Sequence, residues 1–458
     1  MRRWRLLAAG AATVAVVGPI GYLWQDSLLP ETYSAMSMGH ADGGGGPAHG
    51  AHGGGRPVSE FTVAAGRRAD VSMTLVTRLD KGRYTVNGTT PGPPVLAAKG
   101  QLVEVRLVNE NVPGGVTLHW HGVDVPGAMD GVAGVTQDAV RPGQSFVYRF
   151  VADRAGTYWY HSHQISHEQV IKGLFGAVVI GGGPTDVTAL IHLYSGGRHT
   201  VNGVAADLPV TAAAGAKVRV RIVNTDSGPT YAWTGAPYRL LAIDGTDVRE
   251  PTLIAGKSVQ ITAGGRADLE VVAPARIQLG GSPAIVLGSG AAPIPKPPAT
   301  LDPLTYGTPA PAPAVSANRT FRYDIGRRLG FVDGRPGNWW TVNGHMLPDV
   351  PMFEVSAGDV VRMRISNDSG EVHPMHLHGH HMLVLARDGV AATGSPWWTD
   401  SLNVADHETY EVMLVADNPG IWSDHCHNLK HAKEGLVVHL MYEGVATPYV
   451  MGGVNEPE

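Results

Sequence analysis

The segment LVEVRLV, residues 102–108, trades apolar and charged side chains at a period of two, the pattern of a strand with one buried face. It belongs to a unit that occurs three times. YTVNGTTPGPPVLAAKGQLVEVRLVNE begins at Tyr84, HTVNGVAADLPVTAAAGAKVRVRIVNTD at His199 and WTVNGHMLPDVPMFEVSAGDVVRMRISNDS at Trp340. Each carries the tetrapeptide Thr-Val-Asn-Gly, a proline-bearing turn, a lone glycine and an alternating strand. Repeats spaced by more than a hundred residues are whole domains rather than the short modules of a solenoid. Short strands between turns, with 60 glycines and 33 prolines in 458 residues, predict an all-β chain of β-sandwich domains in tandem.

The second half of each unit lines up as well. TLHWHGVDVPG (117–127), TYAWTGAPYRL (230–240) and HPMHLHGHHML (373–383) follow the strand. GTYWYHSH (156–163), ADLEVVAP (267–274) and GIWSDHCH (420–427) stand near each unit's end. The first and third units carry histidines at both places and the middle one carries none. A shared fold with ligands in only two copies assigns the histidines to a metal rather than to the sandwich. In a strand, residues i and i+2 face the same side. His119/His121, His161/His163, His376/His378 and His425/His427 therefore each aim two imidazoles one way. Eight converging imidazoles exceed the four positions of one tetrahedral ion and imply a polynuclear centre. Cys426, the single cysteine, lies between two of these histidines and faces the opposite side. With His373 and His431 it makes a His2Cys set, the ligands of a blue-copper centre, and copper heads the affinity order for nitrogen and sulfur donors. Peptide links from Cys426 to His425 and His427 would join that centre to the cluster and pass electrons singly.

The motifs HWHG, HSH, HPMHLHGH and HCHNLKH, in that order across roughly residues 58–446, resemble those of three-domain multicopper oxidases, the laccase and copper-efflux-oxidase group. The resemblance implies three cupredoxin-like Greek-key sandwiches and four copper ions. By position it assigns His119 and His376 to a type 2 copper. It assigns His121, His161, His163, His378, His425 and His427 to a type 3 pair, and His373, Cys426 and His431 to a type 1 copper. The implied reaction takes electrons from a small reducing substrate at type 1 and reduces dioxygen to water at a trinuclear cluster. Asp130, in GAMDGVAG, stands where the family keeps an acid beside the cluster. Two positions depart from the family pattern. Bacterial relatives often place an acid directly after the second type 1 histidine; here that residue is Ala432, and Glu168 and Asp424 are the candidate substitutes. Many bacterial relatives have an axial methionine ten residues after the cysteine; here it is Leu436. Leucine has no lone pair to donate, so a three-coordinate type 1 copper is expected.

Phenols and aromatic amines are the expected substrates, because no methionine-rich insert accompanies the third unit. Cu(I) stays open as an alternative because residues 36–55, MSMGHADGGGGPAHGAHGGG, hold Met36, Met38, His40, His49 and His52. A copper nitrite reductase would leave His425 and His427 without a purpose, and a cupredoxin scaffold without activity would not need the full ligand set. His167, His345, His380, His381 and His439 are expected at the surface or behind the ligands, not on a metal. The net charge of −5, with no basic stripe, argues against a nucleic-acid partner, and one cysteine excludes an internal disulfide. The chain opens MRRWRLLAAGAATVAVVGPIGYLW, basic residues ahead of an apolar run. This reads as an export signal or membrane anchor, with the protein outside the cytoplasmic membrane, tethered or released. The expected organisation is signal or anchor at 1–30, a flexible linker at 31–57 and a first metal-binding domain at 58–183. A metal-free domain at 184–297, a Pro-rich linker at 298–318, a third domain at 319–447 and a tail at 448–458 complete it.

Overall fold

Asn87, Asn202 and Asn343 have φ of 51°, 50° and 54°, and the glycines after them have φ of 78°, 80° and 82° in the computed structural model, which describes residues 15, 17–46, 55–289, 292–310 and 316–458. Two successive positive φ angles make a type I′ turn, for which Asn-Gly is the preferred pair. The turn closes one hairpin in each unit: Val86 pairs with Thr89, Val201 with Val204, and Val342 with His345. Each asparagine side chain then ties the turn to a neighbouring strand. Its Oδ1 accepts from the backbone N–H of Val76, Leu190 or Asp324 at 2.6, 2.9 and 2.9 Å. The recurring tetrapeptide is one turn made three times.

The alternating strands Leu102–Asn109, Lys217–Asn224 and Val360–Asn367 hold equivalent places in three successive β-sandwiches. Each runs parallel to the strand that opens its sandwich, Val71–Asp80, Val187–Tyr194 or Arg319–Val332. Each pairs antiparallel with Ser145–Val151, Arg266–Val272 or Thr409–Val415 on its other side. Val105 and Leu107 are buried and Arg106 between them is exposed, as the period of two requires. In the facing sheets the histidine motifs become neighbouring strands. His119 lies opposite His161 and His121 opposite Trp159 in the first sandwich; His376 lies opposite His425 and Met375 opposite Cys426 in the third. One buried apolar cluster runs through the first and third sandwiches, taking in Leu75, Trp120, Phe353, Trp422 and Leu436, while the middle sandwich has its own around Ile222, Leu269 and Ile277. The third domain therefore folds back onto the first.

Three segments differ from expectation. Over its described residues, 31–57 is not a free linker. Thr32–Tyr33 pairs with Met451–Gly452, and His40–Asp42 adds a parallel edge strand to Pro351–Val355. The Met36 sulfur accepts from the Thr447 N–H at 3.2 Å, and Met38 is buried. His49 and His52 lie outside the described residues. The Pro-rich 298–318 stretch is packed too. Ala299–Thr300 pairs with Lys257–Ser258, Leu304 is buried, and the Tyr306 hydroxyl donates to Thr252 O at 2.6 Å. Residues 448–458 are likewise held rather than loose, because Asn455 bridges Asp138 and Val450. Apolar side chains and unpaired sheet edges account for all three: each segment carries residues that an open edge or a core can take up. Residues 17–26 are helical and exposed, and no helix among the described residues is long and apolar enough to cross a membrane. Residues 1–14 and 16 of the expected signal or anchor lie outside the described residues.

Arg266, fully buried, joins all three sandwiches. It comes from the middle domain, donates to the Thr157 carbonyl of the first at 3.1 Å, and forms a two-pronged ion pair with Asp400 of the third. Removing one partner of such a pair strands the other charge without water, at a cost of about 3–5 kcal/mol. Arg266→Met should lower the urea unfolding midpoint accordingly, compared with wild type at equal metal content. An unchanged midpoint would show that Arg266 does not hold the domains together.

Candidate metal centre

Strand geometry sends neighbouring residues of 425–427 to opposite sides, and two donor sets result. On one side, Cys426 Sγ lies 3.5 Å from His373 Nδ1 and 3.8 Å from His431 Nδ1, and the two nitrogens are 3.2 Å apart. His373 comes from the adjacent strand His373–Leu377 and His431 from the short helix Leu429–Lys433. The far nitrogens are engaged: His373 Nε2 meets Ser369 Oγ at 2.7 Å, and His431 Nε2 meets a Glu371 oxygen at 3.3 Å. Both Nδ1 atoms face the sulfur, and His431 Nε2 also meets the Asn428 side-chain amide at 2.9 Å. The Trp340 ring packs on both imidazoles, at centroid distances of 4.7 and 4.5 Å. Leu436 is fully buried beside them, exchanging backbone hydrogen bonds with Cys426 and His431. Burial pushes the Cys426 thiol well above its ordinary range and, with His431 beside it, His373 down to about 3. A thiolate persists in such a place only with a cation on it.

On the other side, eight imidazoles converge between the first and third sandwiches. His119 and His376 face each other through their Nε2 atoms at 3.3 Å. His163 and His378 each aim Nε2 at that of His425, at 3.5 and 3.1 Å. His121, His161 and His427 form a further group, with ring centroids 4.9 Å apart for His121/His427 and 5.4 Å for His161/His427. Each of these three groups draws ligands from both domains. The donor set fits metal ions: His121 Nδ1, His161 Nε2 and both nitrogens of His427 are buried without a hydrogen-bond partner. Burial, then the neighbouring imidazoles, hold His121, His161, His163, His376, His378 and His427 well below the ordinary imidazole range, so the rings are neutral and offer lone pairs.

Which nitrogen faces inward is decided by what holds the other one. The Nδ1–H groups of His161, His376 and His425 donate to the carbonyls of Ser162, Asp400 and Cys426 at 3.0, 2.8 and 3.2 Å. Those rings present Nε2. His121 is reversed. Its Nε2 lies 2.9 Å from Ser401 Oγ and 3.2 Å from Asp400 Oδ1, leaving Nδ1 for the metal. The middle domain supplies no ligand but closes the site: a Cβ on Gly264, whose φ is +77°, would fall 2.7 Å from His121 and 2.9 Å from His427.

The candidate acids separate. Asp130 is fully buried at the cluster, its carboxylate accepting from His119 Nδ1 at 3.0 Å and from His378 Nδ1 at 2.9 Å. Glu168 is engaged elsewhere: its carboxylate takes hydrogen bonds from Lys172 at 2.7 Å and Tyr84 at 3.1 Å, and Lys172 holds its pKa down. Asp424 alternates with His425 and so shares the Cys426 side of the strand, where burial raises its pKa well above the carboxylate range. Neither fills the role that Ala432 leaves open. Sequence reasoning missed Glu458, whose Oε1 lies 3.8 Å from His163 Nε2 and 3.7 Å from His425 Nδ1, with burial raising its pKa to about 8. It also missed Asp400, which has no motif around it. No local pattern marks either one. Asp130→Asn replaces one of the two carboxylate oxygens that face His378 Nδ1, at 2.9 and 3.1 Å, by an N–H donor, while His119 Nδ1 keeps the Asp130 carbonyl at 3.0 Å, and should turn the His378 ring to the wrong tautomer. Cluster metal affinity is expected to fall about 10–100-fold, read as metal retained during dialysis against graded chelator. Unchanged retention would refute the positioning role.

Family models described as multicopper oxidase match residues 70–184 and 326–444, the two sandwiches that carry the histidines. Over 452 residues the chain is 28% identical to Laccase-1 of Botryotinia fuckeliana, covering 78% of this chain and 77% of that one. Over 457 residues it is 26% identical to Multicopper oxidase MmcO of Mycobacterium tuberculosis, covering 85% and 88%. Among solved structures, the multi-copper oxidase from Pseudomonas thermotolerans superposes with a TM-score of 0.67 at 27% identity, over 81% of this chain and 98% of that one. The match spans all three sandwiches and both donor sets, and the chain belongs to the multicopper oxidase family.

Proposed function

We propose that the protein is a laccase-like oxidase that takes single electrons from phenols and aromatic amines and delivers four of them to dioxygen, forming water. The observation that carries this reading is the pair of buried donor sets joined through Cys426. His373, Cys426 and His431 would hold a type 1 copper, and His119 with His376 a type 2 copper. The triads His163/His378/His425 and His121/His161/His427 would hold the type 3 pair. Copper bound there supplies one-electron oxidation at the His2Cys site and dioxygen reduction at the cluster.

The residues of the chain do the rest. Cys426 is one peptide link from a ligand of each type 3 triad, and the His425 ring N–H donates to the Cys426 carbonyl at 3.2 Å, a second connection between the two centres. The His431 ring offers the outward edge of the thiolate site, where Glu371 is 46% exposed on its side chain. A phenol docked at that edge can give its electron through the imidazole and its proton to Glu371. Asp130 and Glu458 are the carboxylates that reach the cluster and suit proton supply. Oxidation of Cu(I) is the second reading, drawn from the N-terminal methionines. The use of Met36 as a hydrogen-bond acceptor and the burial of Met38 weigh against it, because both sulfurs are committed to packing. The basic and apolar opening of the chain supports an exported protein, tethered or released, within the same proposal.

Dioxygen consumption with a phenol, set against consumption with Cu(I), tests the substrate; a clear preference for Cu(I) would overturn the laccase-like reading. Cys426→Ser should abolish the blue absorbance and phenol oxidation together, since one sulfur serves both. A blue, active variant would refute the assignment of Cys426. Leu436→Met adds a weak sulfur donor, which favours Cu(II), and the two side chains have similar volumes. If that preference is about ten- to a hundredfold, the type 1 potential falls by about 60–120 mV, at about 59 mV per tenfold. Redox titration of the blue band in both proteins reads it directly. A potential that stays put or rises would remove Leu436 from the axial position.

A further inference from the structure

Outside both donor sets, His40, His345 and Asp349 bring three ligand atoms within 4.8 Å of one another. His40 Nδ1 lies 3.1 Å from one Asp349 oxygen and His345 Nδ1 lies 2.8 Å from the other, with the two rings 4.4 Å apart. Ligand atoms on a tetrahedral ion with bonds of about 2.0–2.1 Å sit about 3.3 Å apart. The atoms of the His2Cys site, at 3.2, 3.5 and 3.8 Å, show the same spacing before any ion is considered.

The backbone sets up this grouping from two distant parts of the chain. His345 follows the Asn-Gly turn of the third unit, at the place filled by Thr89 and Val204 in the other two. A ligand-bearing side chain occurs in only one of three equivalent turns, so the turn itself does not require it. Asp349 is held over the turn by its N–H on the Met346 carbonyl at 2.9 Å. His40 opens the edge strand that pairs with residues 351–353. Its approach is close: a Cβ on Gly39 would lie 1.6 Å from Val350 O, and the His40 N–H donates to that oxygen at 3.2 Å. The three side chains are 42%, 43% and 62% exposed, which leaves an ion free access and room for water as a further ligand.

We propose that His40, His345 and Asp349 form a surface site for one borderline divalent cation, Cu2+ or Zn2+, that fastens the N-terminal segment to the third domain. Two imidazoles and a carboxylate suit both ions, and copper binds such donors more tightly. The site is separate from the oxidase machinery but shares a loop with it. Leu347 packs against Gly435, next to Leu436, and Trp340, five residues before His345, covers His373 and His431.

Zn2+ is the probe, because it is redox-inert and cannot be turned over. The full chain without an affinity tag, its copper sites filled, is titrated with Zn2+ by calorimetry. Wild type should bind one equivalent. His40→Ala, His345→Ala and Asp349→Asn should each weaken that binding by at least about tenfold, with blue absorbance and copper content unchanged as the measure of an intact fold. Absence of stoichiometric binding in wild type overturns the proposal, and so does wild-type affinity in any one of the three variants.

Discussion

Eight buried imidazole rings meet between two sandwiches, close enough for their nitrogens to face one another without intervening protein groups. Burial removes the water that would solvate an imidazolium, and the adjacent rings add to the penalty. His163, His378 and His425 are thus neutral bases facing one another across 3.1–3.5 Å, a contact too poor in hydrogens to satisfy their lone pairs. Cations resolve that arrangement. The continuous apolar core of the first and third domains brings the two halves together, and the backbone and carboxylate acceptors behind the rings turn the lone pairs inward.

Two buried aspartates do most of that turning. Asp130 belongs to the first domain yet takes a ring N–H from each side of the interface, so it registers one half of the cluster against the other. Asp400 belongs to the third and reaches His121 of the first, and it is itself held by Arg266 of the second. The middle sandwich thereby contributes a guanidinium and the close approach of Gly264 in place of ligands. Loss of its histidines leaves it a structural part of the site, not a bystander.

The strand Ile421–Cys426, continued to His427, carries function on both its faces. Period-two alternation puts His425 and His427 in the cluster and Cys426 in the His2Cys set, so two centres of different chemistry are separated by single peptide links. The same alternation removes Asp424 from the cluster and directs it with the cysteine.

The amino-acid sequence alone determined the features that depend on local periodicity. Alternating strands, the Asn-Gly turn, the three units and the paired histidines all follow from φ/ψ preferences and a side-chain period of two, which act over a few residues. Membership of the two donor sets was legible for the same reason, because every ligand lies in a motif. Only the tertiary structure decided how the six remaining cluster histidines group, that His121 presents Nδ1 while His161, His376 and His425 present Nε2, and which acids stand beside them. Those outcomes rest on contacts between residues far apart in the chain: His121 with Ser401, Arg266 with Asp400, Glu458 with His163. The meeting of His40 with His345 and Asp349 is of the same kind. An edge strand must first dock on the third sandwich before the two histidines can share a carboxylate, and nothing in either short segment specifies that docking by itself.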